Sequence, residues 1–233
     1  VVIILRSDGT SLYATKEIPL AILKFTEYDL EQSIYVIDVR QSLHMKQIRK
    51  VLELMGYPWA ERIYHLAYEI VNLPGNVTMS SREGTVVLLD DLIREATKRA
   101  LEIVREKNPE LDPQEMQTIA EAVALGSIKY PMLARENTKM VTFDWESALD
   151  FNGQSAPYIQ YAHVRANSIL RKAGLEQPEV PQFNYYLQTS EINLIELLAR
   201  LPDEIQRAAK ELKPSLVANF AYDLAKAFND FYN

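Results

Sequence analysis

S-I-Y-V-I-D-V-R-Q-S-L-H-M-K-Q-I-R-K-V-L-E-L-M-G, residues 33–56, changes its hydrophobic period partway along. Residues 33–39 are rich in β-branched side chains and read as a strand. From Ser42, a candidate cap, Met45, Ile48, Val51, Leu52 and Met55 recur at helical spacing until Gly56 ends the run. Working outward, V-V-I-I-L-R (1–6) reads as a buried strand, S-D-G-T-S (7–11) as a turn, and 12–25 as a helix carrying Ile18, Ala21, Ile22 and Phe25. Downstream, 62–71 reads as a third strand, 73–84 as a polar loop and T-V-V-L-L (85–89) as a short strand. A helix capped by Asp90 or Asp91 follows, with Leu92, Ile93, Ala96, Ala100, Ile103 and Val104 on one stripe. Strand, helix and strand in alternation imply a parallel sheet with crossover helices, the doubly wound class.

After Asp112 the pattern turns helical. Helices are expected near 113–128, 156–173, 190–201, 203–212 and 214–232, broken by prolines such as Pro131, with one β-like run at 140–145 and a loop at 176–182. The expected architecture is therefore α/β followed by all-α, a Rossmann-like half (1–150) and then an α-helical bundle (151–233).

Composition narrows the chemistry. There is no cysteine, so disulfides and thiolate metal sites are excluded. The three histidines, His44, His65 and His163, lack metal-ligand spacing, and no metal site is expected. No two of the seven glycines are separated by a single residue, so neither a G-x-G-x-x-G nor a Walker A loop is present. No stretch is long and apolar enough to span a membrane and no secretory leader is evident, so the expected location is cytoplasmic. Net charge is −7. Residues 108–233 hold 11 basic against 17 acidic side chains, a net of −6, so any RNA contact must be local rather than a general attraction.

Three segments, in order, resemble the class I arginyl-tRNA synthetases: R-S-D-G-T-S-L-Y-A-T-K-E-I (6–18), Y-V-I-D-V-R-Q-S-L-H-M-K-Q (35–47) and M-S-S-R-E-G-T-V-V-L-L-D-D-L (79–92). A fourth, F-D-W-E-S-A-L-D-F-N-G-Q-S-A-P-Y-I-Q-Y-A-H-V-R (143–165), is similar to the junction into that family's helical anticodon-binding domain. The resemblance implies the second half of a class I catalytic domain, then part of the anticodon domain. It implies ATP-dependent activation of L-arginine to arginyl-adenylate and transfer to tRNA(Arg), with Mg²⁺ accompanying ATP and no tightly bound cofactor. The family's HIGH motif lies upstream of the first matching segment. The chain is thus expected to be an internal piece of a longer synthetase, with an upstream chain or segment supplying that motif.

The residues can also be read on their own chemistry. A guanidinium presents five donors in a planar fork and needs a planar set of acceptors. Tyr13 and Glu17 lie i, i+4 and can face one cleft, and Gln41 follows the strand at its carboxyl edge, where open α/β sheets bind ligands. The resemblance implies that these three recognise arginine, with Glu17 standing where the family has aspartate. It implies that Met79, Ser80, Ser81 and Arg82 form the catalytic loop that closes on ATP, with His44, His65, Met79 and Ser80 near the nucleotide. Thr78 and Glu83 replace two lysines of the family's loop, and Glu69 replaces a glycine. Tyr158, Tyr161 and Arg165 share one helical face and suit stacked RNA bases, although the same spacing serves a packed core. The alternative function is a synthetase-like tRNA- or protein-binding module without activation.

Overall fold

The computed structural model describes residues 2–73, 77–78, 88–174 and 184–232. The chain separates into two compact units, Val1–Ile70 with Asn137–Lys139, and Val71–Glu136 with Met140–Asn233.

In the first unit β1 (Ser33–Asp38) and β2 (Ile63–Tyr68) run parallel, in register from Ser33 against Ile63 to Asp38 against Tyr68. The connection between them is α2 (Ser42–Leu54), as residues 33–56 predict. Helix α1 (Tyr13–Glu27) turns Ala14, Ile18 and Ala21 onto Met45, Ile48 and Leu52 of α2, with Ala60 and Ile63 completing the cluster. Burial of these side chains is the main force holding the unit together. Gly56 ends α2 at φ +87°, a conformation glycine adopts without strain.

The run 1–6 is not a buried strand. Ile3 and Leu5 are exposed, and the backbone closes on itself through a single antiparallel bridge between Leu5 and Ser11. The turn chemistry at 7–11 takes over here. Asp8 Oδ1 accepts from the Thr10 amide at 2.9 Å and its hydroxyl at 2.7 Å, and Gly9 lies at φ +80°. The third strand is also shorter than 62–71. It ends at Tyr68, after which the Glu69 amide donates to the Asn137 carbonyl at 2.9 Å instead of extending the ladder.

In the second unit β3 (Val71–Leu73) lies between β4 (Val77–Thr78), antiparallel, and β5 (Val141–Thr142), parallel. Between β3 and β5 the chain builds a helical hairpin, α3 (Leu89–Lys107) and α4 (Pro113–Leu133). Ala96 and Ala100 meet Ala120 and Ala124 there, all four fully buried, and small side chains let the two backbones approach closely. The cap of α3 is Leu88, not Asp90 or Asp91. Those two acids sit in the first turn, at the positive end of the helix dipole. Leu88 and Leu89 therefore do not belong to a strand, and 85–87 lie outside the described residues. Helix α4 passes through Pro131 to Leu133, because a proline in the last turn gives up only one backbone bond.

Helices α5 (Trp145–Ala148), α6 (Ala156–Ala173), α7 (Thr189–Ala199), α8 (Leu201–Glu211) and α9 (Pro214–Tyr232) follow. Helix α9 packs on α6, α7 and α8, giving the expected bundle. The expected loop at 176–182 lies outside the described residues. Among the described residues no helix is long and apolar enough to cross a membrane.

Candidate functional site

The turn at 7–11 delivers the chain into α1 with Tyr13 as its first residue. The Thr15 hydroxyl accepts from the Leu12 amide at 3.1 Å and donates to the Ile4 carbonyl, so the start of the helix is tied to the preceding loop. Tyr13 and Glu17 are brought together on one helix face, as their spacing predicts, and the interaction of the phenol with the Glu17 carboxylate is the main cause that holds the phenol pKa above its usual value. Tyr35 of β1 is close enough to add a smaller upward push. One turn of α2 away, the His44 ring leans on the Tyr13 ring with centroids 5.0 Å apart. His44 Nε2 is buried and has no hydrogen-bond partner among the described residues. A carboxylate and a phenol oxygen on one helix face form an acceptor pair suited to a planar cation.

Gln41 is exposed at the carboxyl end of β1, the last residue of a 3-10 turn, Val39–Gln41. Asp38 caps that turn. Its Oδ1 accepts from the Arg40 amide at 2.7 Å and from Nε at 2.9 Å, and its Oδ2 accepts from Nη2 at 2.8 Å. These hydrogen bonds from Arg40 hold the Asp38 carboxyl below the ordinary carboxylate range. His65, opposite Tyr35 in the sheet register, donates from Nε2 to the Ile37 carbonyl at 3.0 Å. In this state that ring is held by the sheet. Met79, Ser80, Ser81 and Arg82 lie outside the described residues.

In the second unit, Tyr161 and Arg165 stand on one face of α6. The Arg165 guanidinium carbon lies 3.9 Å from the Tyr232 ring centroid and 5.7 Å from that of Tyr161, and Nη1 donates to Asn229 Oδ1 at 3.2 Å. Tyr161 is half exposed, whereas Tyr158 packs against Tyr222, centroids 5.3 Å apart, as part of the α6–α9 contact. Of the three, Tyr161 and Arg165 present a stacking surface and Tyr158 chiefly joins the helices. A cavity of about 210 Å³ in this unit, lined by Tyr130, Pro131, Arg135, Asp144, Gln154 and their neighbours, contains none of the candidate site residues.

Sequence reasoning missed Asp38, Arg40, Asn229 and Tyr232. The Asp-x-Arg spacing at 38–40 was a local signal for a capped turn. Nothing local ties Tyr232 to Arg165, which meet only once α9 folds back on α6.

Comparison with known proteins adds identity to this geometry. Residues 1–145 match the family described as tRNA synthetases class I (R), catalytic domain, and residues 159–233 match the DALR anticodon binding domain. An arginine–tRNA ligase from Clostridium botulinum is 40% identical over 99% of this chain, and one from Streptococcus mutans is 41% identical over the same share. In both cases the chain spans 40% of the relative's length. The solved arginyl-tRNA synthetase of Thermus thermophilus superimposes with a TM-score of 0.88 at 35% identity, covering 100% of this chain and 43% of that one. The match to the arginyl-tRNA synthetase of Plasmodium falciparum (TM-score 0.80, 22% identity, covering 98% of this chain and 39% of that one) concerns the fold alone. With its first 145 residues matching the catalytic family and its helical half matching the anticodon-binding family, the chain belongs to the class I (R) tRNA synthetases.

Proposed function

We propose that this chain forms part of an arginine–tRNA ligase, which activates L-arginine with ATP to arginyl-adenylate and transfers the arginyl group to the 3′ end of tRNA(Arg). The observation that carries the reading is the placement of the Tyr13 phenol beside the Glu17 carboxylate at the head of α1. Residues 1–150 take the catalytic part and 151–233 the anticodon-binding part; the family matches over 1–145 and 159–233 support this division. Tyr13, Glu17 and Gln41 receive the substrate guanidinium. Met79 to Arg82 close on ATP with His44 and His65 nearby, and Mg²⁺ travels with the triphosphate and offsets its charge. Tyr161 and Arg165, with Tyr158 behind them, meet the tRNA. The protein works in the cytoplasm.

A binding module without activation is the weaker reading, because relatives matching 99% of this chain are named as ligases. The deciding experiment is a charging assay with the full-length protein, tRNA(Arg) and ATP, comparing radiolabelled arginine with lysine. Arginine-specific charging is expected. If neither amino acid is charged while tRNA still binds, the binding-module reading replaces this one.

A further inference from the structure

We infer that Asp38, acting through Arg40, is a positioning residue for Gln41 and so for recognition of the substrate amino acid; this rests on reading Gln41 as a contact to arginine. Gln41 ends a three-residue 3-10 turn, and a turn that short has too few backbone bonds to fix the direction of its last side chain. Side chains lock it from both ends. Before Gln41, the Asp38 carboxylate takes the Arg40 amide at 2.7 Å and grips the guanidinium through both oxygens, at 2.9 and 2.8 Å. After it, the Ser42 hydroxyl donates to the Val39 carbonyl at 2.6 Å, tying the first residue of α2 back to the turn.

The pair is not built for stability. The Arg40 side chain is 74% exposed against 19% for Asp38, and exposed ion pairs contribute little to folding. What the bidentate geometry supplies is direction: a carboxylate fixed at the end of β1 closes a ring around the residue immediately before Gln41. The other groups that act on Arg40 are Glu69 and Tyr68 at the end of β2, and both favour its charged form. Three charged side chains thus gather at the carboxyl edge of the β1–β2 pair, with Gln41 next to them. The core of the unit (Ala21, Ile48, Leu52) does not involve them, so the lock can be removed without removing the packing.

The test uses the full-length protein carrying Asp38→Asn, Arg40→Gln, Arg40→Lys, Gln41→Ala and the double variant Asp38→Asn/Gln41→Ala. KM for arginine, KM for ATP and thermal midpoint are read for each. Asp38→Asn and Arg40→Gln should each raise the arginine KM roughly tenfold or more, the size expected when a recognition group is misplaced by a fraction of its length. The ATP KM and the thermal midpoint should barely move. Arg40→Lys keeps the charge but not the fork, and should behave like Arg40→Gln. In the Gln41→Ala background Asp38→Asn should add nothing, because its effect runs through Gln41. Additive effects in the double variant, or rescue by Arg40→Lys, overturn the inference while leaving Gln41 in the pocket. A Gln41→Ala variant with unchanged arginine kinetics instead removes the amino-acid pocket reading beneath it. Should Asp38→Asn fail to fold, Arg40→Gln, altered at an exposed side chain, carries the same comparison with Gln41→Ala.

Discussion

In the proposed function, Glu17 is the side chain on which arginine recognition chiefly depends. In the full-length protein Glu17→Gln should lower kcat/KM for arginine by about 2–4 kcal/mol, since a guanidinium without its carboxylate keeps most of its desolvation cost. That corresponds to roughly 30- to 1000-fold in steady-state charging assays, with the ATP KM unchanged. Tyr13→Phe removes only a neutral partner and should cost about 1 kcal/mol. Glu17→Asp restores the residue expected from the resemblance, one methylene shorter, and should be tolerated if α1 can approach the ligand. Should Glu17→Gln charge arginine normally, the acceptor lies elsewhere in the protein. The Tyr13–Glu17 pair could be read from the sequence because both ends sit on one helix face, four residues apart. The tilted contact of His44 with Tyr13 could not, since it depends on how α1 packs against α2.

Among the elements, the contact of α4 with α6 is unusually close. A Cβ added at Gly126 would lie 3.0 Å from the Ala156 Cβ and 3.1 Å from Gln160 Nε2. Gly126→Ala gains up to about 1 kcal/mol of helix propensity but overpacks the contact by roughly 1–3 kcal/mol. The Ala156 methyl has no rotamer to escape into, so overpacking should prevail. A lowered thermal midpoint is expected, and a raised one would show that the helices can separate freely. Caps also make the elements sensitive to acid. The Asp144 carboxyl is held below its ordinary value by the Ser147 amide and then its hydroxyl, and Glu191 by the Gln188 amide and then the Tyr185 phenol. Because folding depresses these values, their stabilisation is present above the unfolded carboxylate range, about pH 4, and is lost as pH falls through the folded values. Thermal melts between pH 6 and pH 2 should show the midpoint falling below about pH 4, and Asp144→Asn should flatten part of that fall. Helix α6 was legible to the residue because its signals are local: Ser155 caps the Tyr158 amide at 3.3 Å and Gly174 closes it at φ +66°. Strands were less legible, because whether 1–6 or 69–71 joins a ladder depends on partners distant in sequence.

Over the whole molecule, a net charge of −7 means that any tRNA binding by this part of the protein must come from placed contacts rather than a general attraction. Arg165→Lys keeps the charge but loses the planar face set against Tyr232. It should weaken tRNA binding nearly as much as Arg165→Ala, by roughly 1–3 kcal/mol, in filter-binding or anisotropy titrations of the full-length protein. Full affinity in Arg165→Lys would mean that charge alone suffices. The α/β-then-helical order was visible in the change of hydrophobic period after Asp112, whereas the division into compact units was not. Residues 137–139 belong by their contacts to the unit formed by the first seventy, because the Asn137 carbonyl receives the Glu69 amide. That three-residue return has a consequence during synthesis. A ribosome adding roughly 5–20 residues per second needs several seconds to travel from residue 70 to residue 139. Throughout that interval the first unit lacks residues 137–139, and the Glu69 amide has no Asn137 carbonyl to donate to until the α3–α4 hairpin has been synthesised.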